Sequence, residues 1–388
     1  MHLKKSINNP GLFVLPLALL ILACQPENSV IQVSNSLDLD RKNEMISISR
    51  SQLAGTINTD AKLKILDLET KQEISTQSLD LDQDGEWEEL LLSVDLKPLE
   101  QRSFLIVNAE PTGVDTLVYG RFVPERKDDF AWENNRIAFR MYGPALEQSG
   151  EISSGVDVWT KSVDDLIINK WYARDDYHRD HGQGADFYKV GPTLGCGGLG
   201  LWVNDTLYTS KNYVDYRILA EGPLRLVFEL DYAAWGSKNN RFTETMRISL
   251  DAGHYLNHFE YRFTHEPEPS ATLKFVAGLT AHPSRSPEPV ILDSSGDYMV
   301  LYEAFKGNNG WLGSAIIRDP SSQAIPVIQY DDQFLFGLFQ EGQSELSYYA
   351  GASWSKSAYM PDKETWIQYV NNFQERMRTP LEVLVLTK

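Results

Sequence analysis

The segment from Trp171 to Trp202 places Arg174, His178, Arg179, His181, Tyr188 and Lys189 among aspartates and glycines. Imidazole, phenol and ammonium groups are the side chains that usually carry protons in catalysis. Guanidinium groups grip carboxylates through two parallel hydrogen bonds. A stretch this rich in glycine predicts a long irregular loop rather than a helix or a regular strand, and such loops on rigid scaffolds are where catalysis collects. A plainer role suits the same residues, because arginine–aspartate pairs can simply tie a long connection down.

Other stretches imitate known chemistry less well. Gly195, Gly197 and Gly200 fit a G-x-G-x-x-G pattern. Asn204-Asp205 turns the chain directly afterwards, where a dinucleotide site requires a helix to face the pyrophosphate. Asp80, Asp82, Asp84 and Gly85 open like a calcium loop, but Leu91 stands where the bidentate glutamate belongs. Glu88 or Glu89 can substitute, so Ca²⁺ is kept as an expectation beside a plain Asp-Gly hairpin turn. His178, Asp180, His181 and Asp186 have ligand chemistry for zinc or manganese without the spacing of a specific site, so no metal is assigned there. Cys196 has the surroundings of a small packed residue, not of an activated thiol.

These groups need a scaffold, and the flanking pattern is one of strands. Leu224 to Tyr232, Phe242 to Leu250 and Phe259 to Phe263 each alternate apolar with polar residues, the period of a half-buried strand. Ala233 to Asn240, with Gly236 and Asn239-Asn240, predicts the turn between the first two. His254, His258 and His265 fall in this system as polar-face residues, and His282 at a strand end reads as a surface group. One helix is predicted over about Asp362–Met377, with Trp366, Tyr369, Val370, Phe373 and Met377 on one face and Pro380 closing it. Many antiparallel strands with few helices imply an all-β chain built on a large antiparallel β-sandwich.

The expected organisation has three parts. Residues 1–23 read as a lipoprotein signal peptide: Lys4 and Lys5, an apolar run from Leu12 to Leu22 broken by Pro16, then Ile21-Leu22-Ala23-Cys24. Cleavage before Cys24 and acylation of that cysteine would leave a protein whose only membrane contact is a lipid anchor, and Gln25 favours the outer membrane. Residues 24–110 read as a tether and a smaller β-unit with strands at Met45–Ser49, Lys62–Leu68 and Glu89–Val94. Residues 111–388 read as the larger sandwich, with Glu125-Arg126-Lys127-Asp128-Asp129 as a charged surface linker near its start. The net charge of −18 excludes a nucleic-acid partner, which needs a basic face. An anionic substrate would therefore need local cations.

Longer stretches carry a resemblance. Asp129-Phe130-Ala131-Trp132-Glu133-Asn134-Asn135-Arg136 through Tyr142-Gly143-Pro144, Gly155-Val156-Asp157-Val158-Trp159, Tyr177-His178 through Lys189-Val190-Gly191, and Tyr349-Ala350-Gly351 with Trp354 resemble a family of secreted or lipid-anchored bacterial proteins. That family was long catalogued as a domain of unknown function and is found in loci for degrading uronic-acid polysaccharides. The resemblance covers nearly all of the mature chain. It implies a galactose-mutarotase-like β-sandwich and dehydration of the non-reducing-end uronate of ulvan oligosaccharides.

That reaction needs a cation on the carboxylate, a base for the C5 proton and an acid for the departing C4 hydroxyl. Arg174 or Arg140 could clamp the carboxylate, with Asn134 donating to the developing enediolate. His178 is the expected base. Tyr188 or His181 is the expected acid, with Lys189 near the phenol. Trp132 and Trp171 could stack on sugar rings or equally be core. No redox or nucleotide cofactor is required. A polysaccharide lyase would use the same base and acid and expel a sugar, and a sugar-binding lipoprotein would need only the arginines and aromatics.

Overall fold

Alternation becomes burial in the strand Arg225–Ser237. Leu226, Phe228 and Leu230 face the core, and opposite them in register stand Leu250, Ile248 and Met246 of the strand Asn240–Asp251. Ile248 in turn pairs with Phe259 of Leu256–His265. The ladder continues through Glu345–Trp354, Trp311–Arg318 and Tyr298–Ala304 into an eight-stranded antiparallel sheet. The computed structural model describes residues 29–387 except 266–272, 283–290, 293–295, 321–322 and 340–343. The signal segment and Cys24 lie outside the described residues.

Two five-stranded sheets cover the apolar face of the large one. The first runs Val118–Val123, Asp129–Asn134, Ala138–Met141, Asp157–Lys161 and Gly184–Ala185, and the second is centred on Cys196–Val203 and Phe275–Thr280. Trp132, Phe139, Leu201, Phe228, Ile248, Phe259 and Ala277 share a single core between them. The chain is mostly β, with antiparallel sheets layered face to face and four short or medium helices among the described residues.

The helix Lys363–Arg378 lies against this body through Trp366, Val370 and Phe373, with Asp362 accepting from the Thr365 amide at 2.8 Å as its N-cap. Two local expectations fail. The strand Arg225–Ser237 runs through most of the predicted turn and bulges between Tyr232 and Trp235, so the reversal is confined to Lys238 and Asn239. Burial of Trp235 against Phe242, with its Nε1 donating to Glu244, favours the longer strand. The predicted loop at 171–202 is bracketed by a helix, Ile168–Arg174, and a strand, Cys196–Val203.

The N-terminal unit has its own core of Ile31, Val33, Ile46, Ile48, Leu90, Leu92, Phe104 and Ile106. The last strand, Glu382–Thr387, pairs with Ser29–Ser34, and Leu381, Val383 and Val385 pack on that core. The sandwich assigned to 111–388 thus gives its final strand to the smaller unit, because an otherwise open edge at Ser29–Ser34 needs a partner.

Glu244 makes the core sensitive to pH. Burial pushes its carboxyl from 4.5 to about 8, against the lowering effect of the Trp235 hydrogen bond. The folded chain therefore holds this proton more tightly than the unfolded one. Its stabilising contribution is full below pH 4.5 and is lost as pH rises through about 8. Glu244→Gln keeps an acceptor for Trp235 and removes the ionisation. Urea unfolding should show the variant gaining on the wild type by up to about 1.4 kcal/mol per pH unit across that window. Parallel stability curves would refute the assignment.

Candidate active site

Arg140 and Asp157 occupy opposed positions on neighbouring strands. The guanidinium Nε and Nη2 donate to Asp157 Oδ2 at 2.9 and 2.5 Å, and Nη2 also reaches Asp186 Oδ2 at 3.0 Å. Asp129 approaches Nη1 at 3.6 Å. All four side chains are at least nine-tenths buried, so one cation faces three carboxyl groups in a low-dielectric setting. Burial opposes the guanidinium charge, yet Asp157, Tyr142 and Asp186 outweigh it and hold Arg140 firmly protonated. Burial raises Asp186 well above the usual carboxylate range, reinforced by the Asp157 charge and opposed by Arg140. Asp129 is pushed up to about 7, again chiefly by burial.

This cluster positions His178. The Asp186 amide donates to the Tyr177 carbonyl at 2.8 Å, and His178 Nδ1 lies 3.2 Å from the Asp186 carbonyl and 3.3 Å from its Oδ2. Nε2 has no protein partner among the described residues, and the side chain is 61% exposed. The result is an imidazole oriented from behind by a buried carboxyl, with its second nitrogen presented to solvent. Asp186 Oδ1 is itself buried without a hydrogen-bond partner among the described residues.

Tyr177 gathers the rest. Its ring stacks on Trp159 at 4.8 Å and touches the His178 ring at 4.6 Å. Arg126 lies over it at 5.4 Å, close enough for its charge to act on Asp186 and Asp129. Arg174, Asp176, Arg179 and His181 also close around Tyr177, in a shallow recess with no room for a water molecule. His181 Nε2 is 3.1 Å from Asp176 Oδ2. Arg126 and Arg174 are exposed and form no ion pair among the described residues. The stretch expected to be a charged linker is thus part of the site: Arg126 ends the short 3₁₀ turn Pro124–Arg126, and Asp129 is buried against Arg140. Hydropathy alone gave no sign of this, because five charged residues in a row read as solvated surface.

Tyr188 and Lys189 belong to a neighbouring group. The Tyr188 ring meets His282 edge-on at 5.1 Å, and its hydroxyl is buried beside Thr280. Burial raises this phenol far above its ordinary range, and the charges of Glu303 and Asp157 add to that. His282 Nδ1 is 2.6 Å from Glu303 Oε1, and its Nε2 lies 2.8 Å from the Lys189 carbonyl. The histidine read as a surface group is therefore mostly enclosed and clamps the end of the loop. Lys189 itself is exposed.

Four expected substrate contacts need correction. Trp132 is wholly buried, donates to Asn257 Oδ1 at 2.8 Å and stacks on Phe139, so it offers no face to a sugar. Trp171 is buried on Trp159 at the base of the recess. Asn134 spends both ends on the backbone: its amide donates to the Asp251 and His254 carbonyls, and its oxygen accepts from Arg136 and Ile137. Arg140 is buried and already engaged by carboxylates, so it orients rather than clamps. Nor do His178, Asp180, His181 and Asp186 converge as ligands, since Asp180 accepts from the Gly182 and Gly184 amides and His181 turns to Asp176. Elsewhere, the turn after Thr76–Leu79 brings oxygens of Asp80, Asp82, Asp84 and Glu88 within 4.8 Å of one another, an all-oxygen set of the kind calcium prefers.

The chain matches the family described as "Domain of unknown function (DUF4861)" over residues 33–383, and it belongs to that family. It is 35% identical over 399 residues to "Uncharacterized protein P7" of Formosa agariphila, covering 96% of this chain and 98% of that protein. Among solved structures it is similar to an alpha-mannosidase from Enterococcus faecalis, with a TM-score of 0.49 and 8% identity, covering 93% of this chain and 46% of the other. A glycosyl hydrolase family 38 protein of the same organism gives a TM-score of 0.49, also at 8% identity, covering 94% of this chain and 48% of the other. The chain spans about half the length of these two structures.

Arg140→Met should expose the electrostatic dependence of the site. Removing the guanidinium leaves Asp157, Asp186 and Asp129 facing one another, which should cost about 3–5 kcal/mol. The loss should be smaller at pH 5 than at pH 8, because carboxyl groups raised by burial take up protons as pH falls. Urea unfolding at both values checks this, and a loss independent of pH would contradict it.

Proposed function

We propose that the chain is a carbohydrate-active carbon–oxygen lyase that removes water across C4 and C5 of the non-reducing-end uronate of ulvan-type oligosaccharides. One observation carries this reading: His178 presents Nε2 to solvent, and the adjoining Tyr177 is covered by Arg126 and meets Arg174, two cations without carboxylate partners among the described residues. A base beside carboxylate-binding cations is what abstraction of a proton next to a carboxylate requires.

Each group has a defined part in the reaction. Arg126 and Arg174 bind the uronate carboxylate and stabilise the negative charge that builds on it. His178 Nε2 takes the C5 proton while the carbonyl and carboxyl oxygens of Asp186 hold Nδ1. The C4 hydroxyl leaves as water with a proton from His181, which shares the recess with Arg174. His181 is preferred to Tyr188 because the Tyr188 hydroxyl is buried away from solvent. Tyr188 and the Lys189 carbonyl instead fix the loop against His282. The product is a 4,5-unsaturated uronate, and the reaction needs no redox or nucleotide cofactor.

On an oligosaccharide ending in glucuronate or iduronate, mass spectrometry should show loss of one water with every glycosidic bond intact. Absorbance should rise as the new double bond conjugates with the carboxylate. His178→Ala should lower kcat by about 10²–10⁴-fold with the fold retained. Two shorter sugars as products would favour β-elimination by a polysaccharide lyase. Binding without any product would reduce the protein to a sugar-binding lipoprotein.

The localisation we infer is the outer membrane, through acylated Cys24. Wild-type protein from native cells should partition into detergent, and Cys24→Ser should not. Wild type found wholly in the aqueous phase would remove the anchor.

A further inference from the structure

A half-open cleft of 520 Å³ lies between the N-terminal unit and the polar face of the eight-stranded sheet, on the far side of that sheet from the core. Its position is fixed. Gln77 reaches across to the backbone of Leu224 and Arg225, Arg376 pairs with Glu44 at 3.1 Å, and His254 Nε2 lies 2.7 Å from the Asn43 carbonyl. Its volume falls within the roughly 300–1,000 Å³ of small-molecule sites.

The lining chemistry narrows the ligand. Arg225, Arg247 and Arg376 meet Glu44, Glu89, Asp251 and Glu260, so no surplus of positive charge is present to hold an anion. The arginines are committed: Arg225 is bidentate to Asp251 at 2.5 and 2.8 Å, and Arg247 donates to Glu229 at 3.0 Å. Burial lowers both His254 and His258, which removes the imidazoles as a source of charge at neutral pH. Fixed pairs of donors and acceptors suit hydroxyl groups, which can give a proton to a carboxylate and accept one from a guanidinium at once. His258 stacks on Tyr349 at 4.4 Å with 17° between the planes, and Leu256, Phe373 and Met377 add apolar wall. Such a surface matches the C–H face of a sugar ring.

We propose that this cleft is a second, non-catalytic saccharide site that binds one uncharged pyranose unit. It rests on the saccharide reading above only for the choice of probes. Ser249 stands directly opposite His258 on the neighbouring strand and lines the cleft, so Ser249→Trp should obstruct the stacked wall without removing any ion pair. Tyr349→Leu should remove the stacked wall while keeping an apolar side chain at that position.

The probes are L-rhamnose and the methyl glycosides of xylose, galactose and glucose, followed by saturation-transfer NMR on the full chain. At least one should bind the wild type and the His178→Ala variant equally. Affinity should fall at least about tenfold in Ser249→Trp or Tyr349→Leu, whichever retains the wild-type circular dichroism. No binding by any of the four, binding that survives both folded variants, or binding lost in His178→Ala would each overturn the proposal. Dehydration is assayed on the same preparations. Turnover without neutral-sugar binding removes only this site, and neutral-sugar binding without turnover removes only the reaction.

Discussion

The site depends on how Arg140 is held. A guanidinium this deeply buried must be compensated, and cross-strand register supplies Asp157 directly opposite it. One carboxylate fixes the plane of the fork and leaves Nη2 able to take a second partner, Asp186. That second contact draws the long segment after the helix Ile168–Arg174 back over the sheet. The return requires Gly184: its φ is +111°, and a Cβ there would sit 2.1 Å from the Thr160 carbonyl oxygen. Asp186 then grips Tyr177 through its amide and His178 through its carbonyl and carboxyl, so the orientation of one exposed imidazole is set by a buried charge cluster.

A second buried pair holds the other end of this segment. Lys161 donates to Glu133 at 2.8 Å, and the second Glu133 oxygen accepts from the Ile167 and Ile168 amides at the start of the helix. Burial lowers the Lys161 ammonium, with Glu133 acting against it. Pairs of this kind add little net stability, because desolvation offsets most of the attraction. Their effect here is geometric. They leave the helix one place to begin, and Trp171 then meets Trp159, on which Tyr177 also stacks.

Elements with a strong period were legible in the sequence. The strands through Leu226, Ile248 and Phe259 and the helix through Trp366 and Val370 follow from spacing, because each buries one regular face. The loop was legible as a concentration of titratable groups, with His178 among them. What spacing could not show was which aromatic or polar residues point inward. Trp132 and Asn134 belong to a short strand buried on both faces, Asp129–Asn134, where alternation disappears. Asp157 was not singled out and Asp186 was read only as a possible metal ligand, because a carboxylate orienting an imidazole looks in sequence like any loop aspartate. Glu303 and His282 are 21 residues apart and meet only through the sheet.

A chain carrying −18 is an unlikely host for an anionic substrate if only total charge is considered. Screening changes that judgement. Beyond about 8–10 Å at physiological salt, exposed charges contribute little to the local field. What decides binding is the composition of the nearest shell. Around Tyr177, Asp157, Asp186 and Asp129 are buried, and burial pushes Asp186 and Asp129 toward their neutral forms, while Asp176 stays exposed and faces His181. Arg126 and Arg174 stand outside, exposed and without an ion pair among the described residues. Burial of these three acids therefore reduces the negative charge that Arg126 and Arg174 face, and the arginine that anchors the cluster from below is the reason those acids can be buried at all.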